Sequence, residues 1–279
     1  MCRHLAYLGP PVTLRSVVID PPYGLYRQAW APRMQRHGTM NADGFGVGWY
    51  APGDPDPARY RHAGPMWGDE SFADLARVTS AGAMLAAVRS ATPGTDHGAD
   101  AIAPFASGRW LFSHNGLTDG WPGSVAGLAA TLPVESLLRL EARVDSALLW
   151  ALVLARLRSG REPAGALADT VGALRSAGVT GRFNFLLTDG EVIAATAAGD
   201  TLYWRRWPGD AVIAAPPRGA AAAGPGGVIV ASEPGDDEPG WAEVPDGSVV
   251  TATPGQVSVT ELAAFTTGAS TADGRIAIL

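Results

Sequence analysis

The sequence predicts an α+β protein in which stacked β-sheets are flanked by helices, and three observations carry that reading. β-type runs occupy both ends of the 279-residue chain, helical patterning is confined to its middle, and 47% hydrophobic residues can fill a sizeable core. Residues 2–8 (CRHLAYL) read as a buried strand. Residues 45–50 read as a second, with Gly46 and Gly48 letting another backbone come close. Residues 84–89 and 109–113 are further short strands. Residues 182–187 and 191–196 flank Thr188-Asp189-Gly190, and an Asp-Gly between two apolar runs predicts a tight hairpin. Residues 228–231, 248–252 and 257–261 extend the β content toward the C-terminus.

Helical patterning begins with a short amphipathic segment, residues 71–80. Residues 145–158 are apolar nearly all round through Leu148, Leu149, Trp150, Leu152, Val153 and Leu154, which predicts burial on most sides. Asp145 stands where an N-cap belongs. Residues 163–177 form the next helix, expected as its antiparallel neighbour. The stretches 52–57, 219–227 and 234–240 read as surface loops rather than linkers, so one domain over 1–279 is expected.

Composition removes several function classes. All 21 basic residues are arginines, so a lysine Schiff base, a P-loop lysine and a Ser–Lys dyad are excluded. A formal charge of −6 with scattered arginines argues against a nucleic-acid partner. No apolar run approaches the roughly 18 residues of a membrane span, and no signal segment precedes the first residues, so a cytoplasmic protein with no membrane partner is expected. The histidines at 4, 37, 62, 97 and 114 lack ligand spacing and no second cysteine exists, so no metal is expected. The sequence sets no oligomeric state.

The one cysteine, Cys2, follows the initiator methionine. Aminopeptidases remove a methionine that precedes a small side chain, and cysteine qualifies. The mature chain then begins with a thiol, ordinarily of pKa about 8.5, and an α-amine titrating near 8. Together these are a nucleophile and its own proton acceptor. Arg89 ends the apolar run 84–89 and enters the loop Ser90-Ala91-Thr92-Pro93-Gly94, where its fork suits a substrate carboxylate. Ser113-His114-Asn115-Gly116 also ends a strand, where an asparagine amide and the next backbone N–H can converge on an oxyanion. Asn-Gly is equally a common turn. Asp145, if not only a cap, could hold an ammonium group. His4 shares a strand face with Cys2, which makes it a supporting or substrate-contacting residue, and His114 is a second supporting candidate.

The order of these signals resembles the class II glutamine amidotransferases, a branch of the N-terminal-nucleophile hydrolases. The likeness runs through MCR and an apolar strand, Asp43-Gly44-Phe45-Gly46-Val47-Gly48, R-S-A-T, H-N-G, and Asp145-Ser146 before a helix, over roughly residues 2–250. It implies a four-layer αββα sandwich, Cys2 as nucleophile and its α-amine as base. It further implies Asn115 and Gly116 as the oxyanion hole, Arg89 and the Thr92 region on the glutamyl α-carboxylate, and Asp145 on the α-ammonium. No metal or organic cofactor is implied. Many of these proteins read R-x-A-T-H-G, whereas Pro93 follows Thr92 here and offers no backbone N–H.

MCRHLAYLG and Val230-Ala231-Ser232-Glu233-Pro234, with Asp237-Glu238-Pro239, Trp241 and Val244-Pro245-Asp246-Gly247, resemble one subfamily in particular. Its members remove the γ-glutamyl group from γ-glutamyl-hercynylcysteine sulfoxide in ergothioneine biosynthesis, through a γ-glutamyl thioester. That implies a small-molecule γ-glutamyl amide as partner. Residues after 260 are too few for the synthase domain that usually consumes released ammonia. A glutaminase subunit feeding a separate synthase is the alternative enzyme, and a redox-sensing or partner-binding protein with an exposed Cys2 is the alternative outside enzymes.

Overall fold

Two antiparallel sheets lie face to face and carry helices on their outer sides. The computed structural model describes residues 2–92, 94–207 and 226–266, so the expectations on Met1, Pro93 and residues 219–225 lie outside the described residues. In chain order the first strands are β1 (Arg3–Thr13), β2 (Phe45–Trp49), β3 (Ala58–His62), β4 (Ser80–Val88), β5 (Phe105–Ser107) and β6 (Trp110–Thr118). The remainder are β7 (Gly181–Thr188), β8 (Ile193–Ala197), β9 (Tyr203–Trp207), β10 (Gly227–Ala231), β11 (Ala242–Glu243), β12 (Ser248–Ala252) and β13 (Val257–Glu261). The helices are α1 (Leu14–Val18), α2 (Leu25–Gln28), α3 (Glu70–Val78) and α4 (Ala126–Ala129), then α5 (Val134–Leu138), α6 (Asp145–Arg158), α7 (Pro163–Ser176) and α8 (Leu262–Thr266). The first sheet runs β11-β9-β10-β1-β4-β2-β3 and the second β13-β12-β8-β7-β6-β5.

The period of two along β1 shows how the layers arise. Leu5 and Tyr7 pack into an outer core with Leu14, Val17 and Val18 of α1, Leu25 of α2 and Phe72 of α3. Ala6 and Leu8 point the other way, into an inter-sheet core with Leu85, Leu111, Leu186, Ala195, Ala197 and Val230. The many alanines there let the sheets come close. A third core covers the outer face of the second sheet, where Leu148, Leu149, Leu152 and Val153 of α6 and Leu167, Val171 and Leu174 of α7 pack on Phe112, Phe185 and Leu187. Each such side chain contributes about 1.5–3 kcal/mol when fully buried. The layer order is α–β–β–α, as the resemblance implied.

Several sequence expectations need correction. β1 continues to Thr13, with its pairing to β4 shifting between Leu8 and Val12, because Pro10 and Pro11 have no N–H for the ladder. The β7–β8 connection is longer than a two-residue turn. Thr188 pairs with Ile193, and Asp189 Oδ1 accepts the N–H groups of Glu191 and Val192. β6 extends to Thr118, so Asn115 and Gly116 lie inside a strand, opposite Asn184 and Phe183 on β7, and form no turn. Asp145 is not the N-cap of α6. Val144 holds that position, and Asp145 opens the helix itself.

Candidate active site

Cys2 stands half-buried immediately before β1. Arg3 pairs with Val88 and His4 with Ala87, so one more step of that register puts Cys2 opposite Arg89 at the end of β4. On the other side of β1, Ser232 follows β10 and binds His4 twice: its N–H donates to the His4 carbonyl at 2.9 Å, and its Oγ accepts the His4 N–H at 3.0 Å. The second sheet reaches the same point. Ser113 Oγ lies 3.0 Å from His4 Nδ1, and Asn115 Nδ2 lies 3.5 Å from Ser232 Oγ. Strands β1, β4 and β10 of one sheet thus meet β6 of the other at the head of the chain.

Asn115 is wholly buried and its Oδ1 has no hydrogen-bond partner. Only glycine fits at 116, because a Cβ there would overlap the Arg182 carbonyl oxygen and crowd His114 Nε2. His114 Nε2 lies 2.9 Å from that same carbonyl, so this nitrogen carries the proton, and Nδ1 is left to accept from Ser146 Oγ at 3.0 Å. Burial lowers the His114 pKa, against the Asp145 carboxylate and the bond to the Arg182 carbonyl. His4 is pushed down to about 3, chiefly by burial, with His114 and Arg3 adding to the effect. At neutral pH His4 is an uncharged ring.

Arg89 is buried and held from both ends. Its N–H donates to the Gly44 carbonyl at 2.7 Å and its own carbonyl accepts from Asp43 at 3.0 Å. Gly44 has φ 143, and a Cβ there would overlap the Ile102 side chain, so this anchor requires glycine. Nη2 of Arg89 donates to Thr95 Oγ1 at 3.2 Å and to the Asp96 carbonyl at 2.7 Å, leaving Nη1 buried and unpartnered. Thr92 takes part through its carbonyl, which accepts from Thr95 Oγ1 at 2.7 Å. Asp145 Oδ2 accepts the Thr118 N–H at 3.0 Å, two residues past Gly116, and Oδ1 accepts the Ser146 N–H at 2.8 Å. Two short bonds therefore fix this carboxylate at the end of β6. A carboxylate has about four lone-pair sites, so acceptor capacity remains for an ammonium group.

Sequence reasoning gave no role to several groups around this cluster. Asp43 Oδ2 accepts the Ala91 N–H at 2.7 Å and so ties the loop after Arg89 to β2. Arg3 is fully buried, with Asp200 Oδ1 at 3.7 Å from Nη1, and burial lowers its pKa against Asp200 and Glu233. Glu233 accepts the N–H groups of Arg33 at 3.1 Å and Met34 at 2.6 Å. Glu233 and Ser232 lie within a motif that the sequence exposed, but nothing in it gave their partners some 200 residues away. Cavities elsewhere do not compete. One of about 260 Å³, lined by Phe105, Trp150 and Arg158 among others, lies under α6, and one of about 590 Å³ lies beside the β7–β8 turn. Neither is lined by Cys2, Arg89, Asn115 or Asp145. Among the described residues no three His, Cys, Asp or Glu side chains could share a metal ion, and no helix is long and apolar enough to cross a membrane.

Comparison with known proteins gives consistent matches. The family described as glutamine amidotransferases class-II matches residues 27–273. A protein of Mycolicibacterium smegmatis named gamma-glutamyl-hercynylcysteine sulfoxide hydrolase is 41% identical over 263 residues, covering 94% of this chain and 100% of the relative. Its Mycobacterium tuberculosis namesake is 40% identical over 262 residues, covering 94% and 97%. Among solved structures, a glutamine aminotransferase class-II domain protein from Silicibacter pomeroyi superposes with a TM-score of 0.64 at 24% identity, over 94% of this chain and 99% of that one. That likeness supports the four-layer fold.

Proposed function

The chain belongs to the class II glutamine amidotransferases, and from that premise we propose that it hydrolyses the γ-glutamyl amide bond of γ-glutamyl-hercynylcysteine sulfoxide, releasing glutamate and hercynylcysteine sulfoxide. The observation that carries this reading is identity of 40–41% over 94% of the chain with hydrolases named for that substrate, which the alignments cover almost end to end. The geometry at the head of β1 is compatible with the chemistry.

The Cys2 thiolate attacks the γ-carbonyl carbon, and the thiol proton passes to the α-amine exposed by loss of Met1, directly or through one water. The Asn115 amide and the Gly116 N–H hold the oxyanion of the tetrahedral intermediate. Collapse expels the amine, which takes a proton, and leaves a γ-glutamyl thioester on Cys2. Water then attacks the thioester, with the α-amine accepting its proton, and glutamate and free thiol result. Arg89 binds the α-carboxylate through its unpartnered Nη1, and Asp145 receives the α-ammonium. Buried, neutral His4 supports the strand beneath the nucleophile without adding charge.

The test is to incubate the mature enzyme with the synthetic sulfoxide conjugate and, separately, with glutamine, and to follow free glutamate. The conjugate should turn over faster, and Cys2→Ala should abolish turnover. Faster release from glutamine would instead assign the chain to ammonia supply for a separate synthase. Full activity in Cys2→Ala, or in protein whose intact mass still includes Met1, would overturn the N-terminal-nucleophile mechanism.

A further inference from the structure

Three buried polar atoms of Arg89 and of the segment fastened to the loop after it have no hydrogen-bond partner. They are Arg89 Nη1, Gln35 Nε2 and Asn41 Oδ1, each buried. Native structures leave few such groups unsatisfied, and three of them call for a partner. Gln35 and Asn41 lie in the segment leading from α2 to β2. Asn41 is wholly buried, and its N–H donates to the Ala29 carbonyl at 2.7 Å. Both protons of its Nδ2 are used, on the Gln28 carbonyl at 2.8 Å and on Gln35 Oε1 at 2.9 Å. That second bond fixes which way the Gln35 amide faces: its oxygen is engaged and its Nε2 is left as a free donor. Two residues beyond Asn41, Asp43 donates its N–H to the Arg89 carbonyl and accepts the Ala91 N–H, so the segment is fastened along residues 89–91. Gly38, with φ 73, turns the chain so that Gln35 Nε2 and Ser90 Oγ lie 3.5 Å and 3.9 Å from the point where its Cβ would stand.

We propose that Gln35 is a substrate-binding residue, donating from Nε2 to the same α-carboxylate that Arg89 receives, with Asn41 as the positioning residue that holds its amide in that orientation. The proposal rests on the reading of this site as a γ-glutamyl site. One guanidinium donor and one amide donor on adjoining segments match the two oxygens of a carboxylate.

The test compares L-glutamate with 4-aminobutanoate, which keeps the ammonium and the γ-carboxylate but lacks the α-carboxylate. Binding of each to wild type and to Gln35→Leu is measured by calorimetry on the mature enzyme. Gln35→Leu should weaken glutamate about tenfold, as expected for a hydrogen bond to a charged group, and leave 4-aminobutanoate within about twofold. Asn41→Ala, which frees the Gln35 oxygen, should move glutamate in the same direction. Equal losses for both ligands would mean that Gln35 only shapes the loop, and no loss for either would overturn the contact. Rescue of glutamate binding by Gln35→Asn is not expected, because the shorter side chain does not reach. Product binding needs no turnover, so failure to hydrolyse the sulfoxide conjugate would overturn the proposed substrate and leave this result standing.

Discussion

His4 should make the fold acid-sensitive in a way that a single substitution removes. The ring is fully buried beneath the strand that carries Cys2, and burial with nearby His114 and Arg3 pushes its pKa down to about 3 from 6.5. A histidine whose folded pKa is depressed binds a proton more readily in the unfolded chain. The stability it confers is therefore fully present above about pH 6.5 and is lost as pH falls from there toward 3. At pH 4.5 the unfolded imidazole lies about two units past its midpoint while the folded one is still neutral, so at about 1.4 kcal/mol per unit the loss is on the order of 3 kcal/mol. His4→Gln keeps a polar group for Ser113 Oγ and cannot titrate, and the buried His114 is present in both proteins. Urea unfolding of wild type and variant at pH 7.5 and 4.5 measures the difference. Wild type should lose on the order of 3 kcal/mol more than the variant over that interval. Equal losses in the two proteins would refute the claim that a neutral, buried His4 underlies the head of β1.

The roles proposed for the other groups separate in kinetics on the sulfoxide conjugate. Asn115→Ala should lower kcat by about 10²–10³ with KM little changed, because the lost donor acts on the developing oxyanion. Arg89→Ala should chiefly raise KM, with kcat/KM falling about tenfold or more, and the reverse pattern in the two variants would contradict these assignments. Gly116→Ala should cost kcat at least as much as Asn115→Ala and also lower the melting temperature, since the new methyl overlaps the Arg182 carbonyl and pushes β6 from β7. Wild-type activity in that variant, read beside its thermal melt, would show that the strands spread without harm to the site.

The sequence was legible where chemistry sits at element ends. Cys2 precedes β1 and Arg89 follows β4, each at the edge of an apolar run, whereas Asn115 and Gly116 lie inside β6, and residues 2–8 read as a buried strand without a division of its apolar side chains into two faces. Elements without an apolar run were missed. Residues of β3 are half-buried throughout and alternate Arg with Tyr and His, so this edge strand shows no apolar face, and β9, reading Tyr-Trp-Arg-Arg-Trp, hides in the same way. The role of Asp145 in its helix was misread because one of its two partners, the Thr118 N–H, is 27 residues away. Ser232, Glu233, Gln35 and Asn41 were not assigned either. The side-chain partners of Ser232 and Glu233 lie 117 to 228 residues away, Gln35 and Asn41 lie in an irregular segment, and local periodicity is silent on both.

The proposed nucleophile and the proposed oxyanion donors belong to different sheets, with an alanine-rich layer between them. Cys2 moves with β1, while Asn115 and Gly116 move with β6. Between the sheets pack Ala6, Ala83, Ala195 and Ala197 beside Leu8, Leu85, Leu111 and Leu186. Two polar ties fix the lateral register that apolar packing leaves free: His4 to Ser113, and Asn115 to Ser232. A misplacement of about 1 Å between reacting groups can cost on the order of 10² in rate, so small inter-sheet residues carry catalytic consequence without touching substrate. The alanines that look like compositional bias in the sequence are, in the fold, part of the layer between the sheet that follows Cys2 and the sheet that carries Asn115.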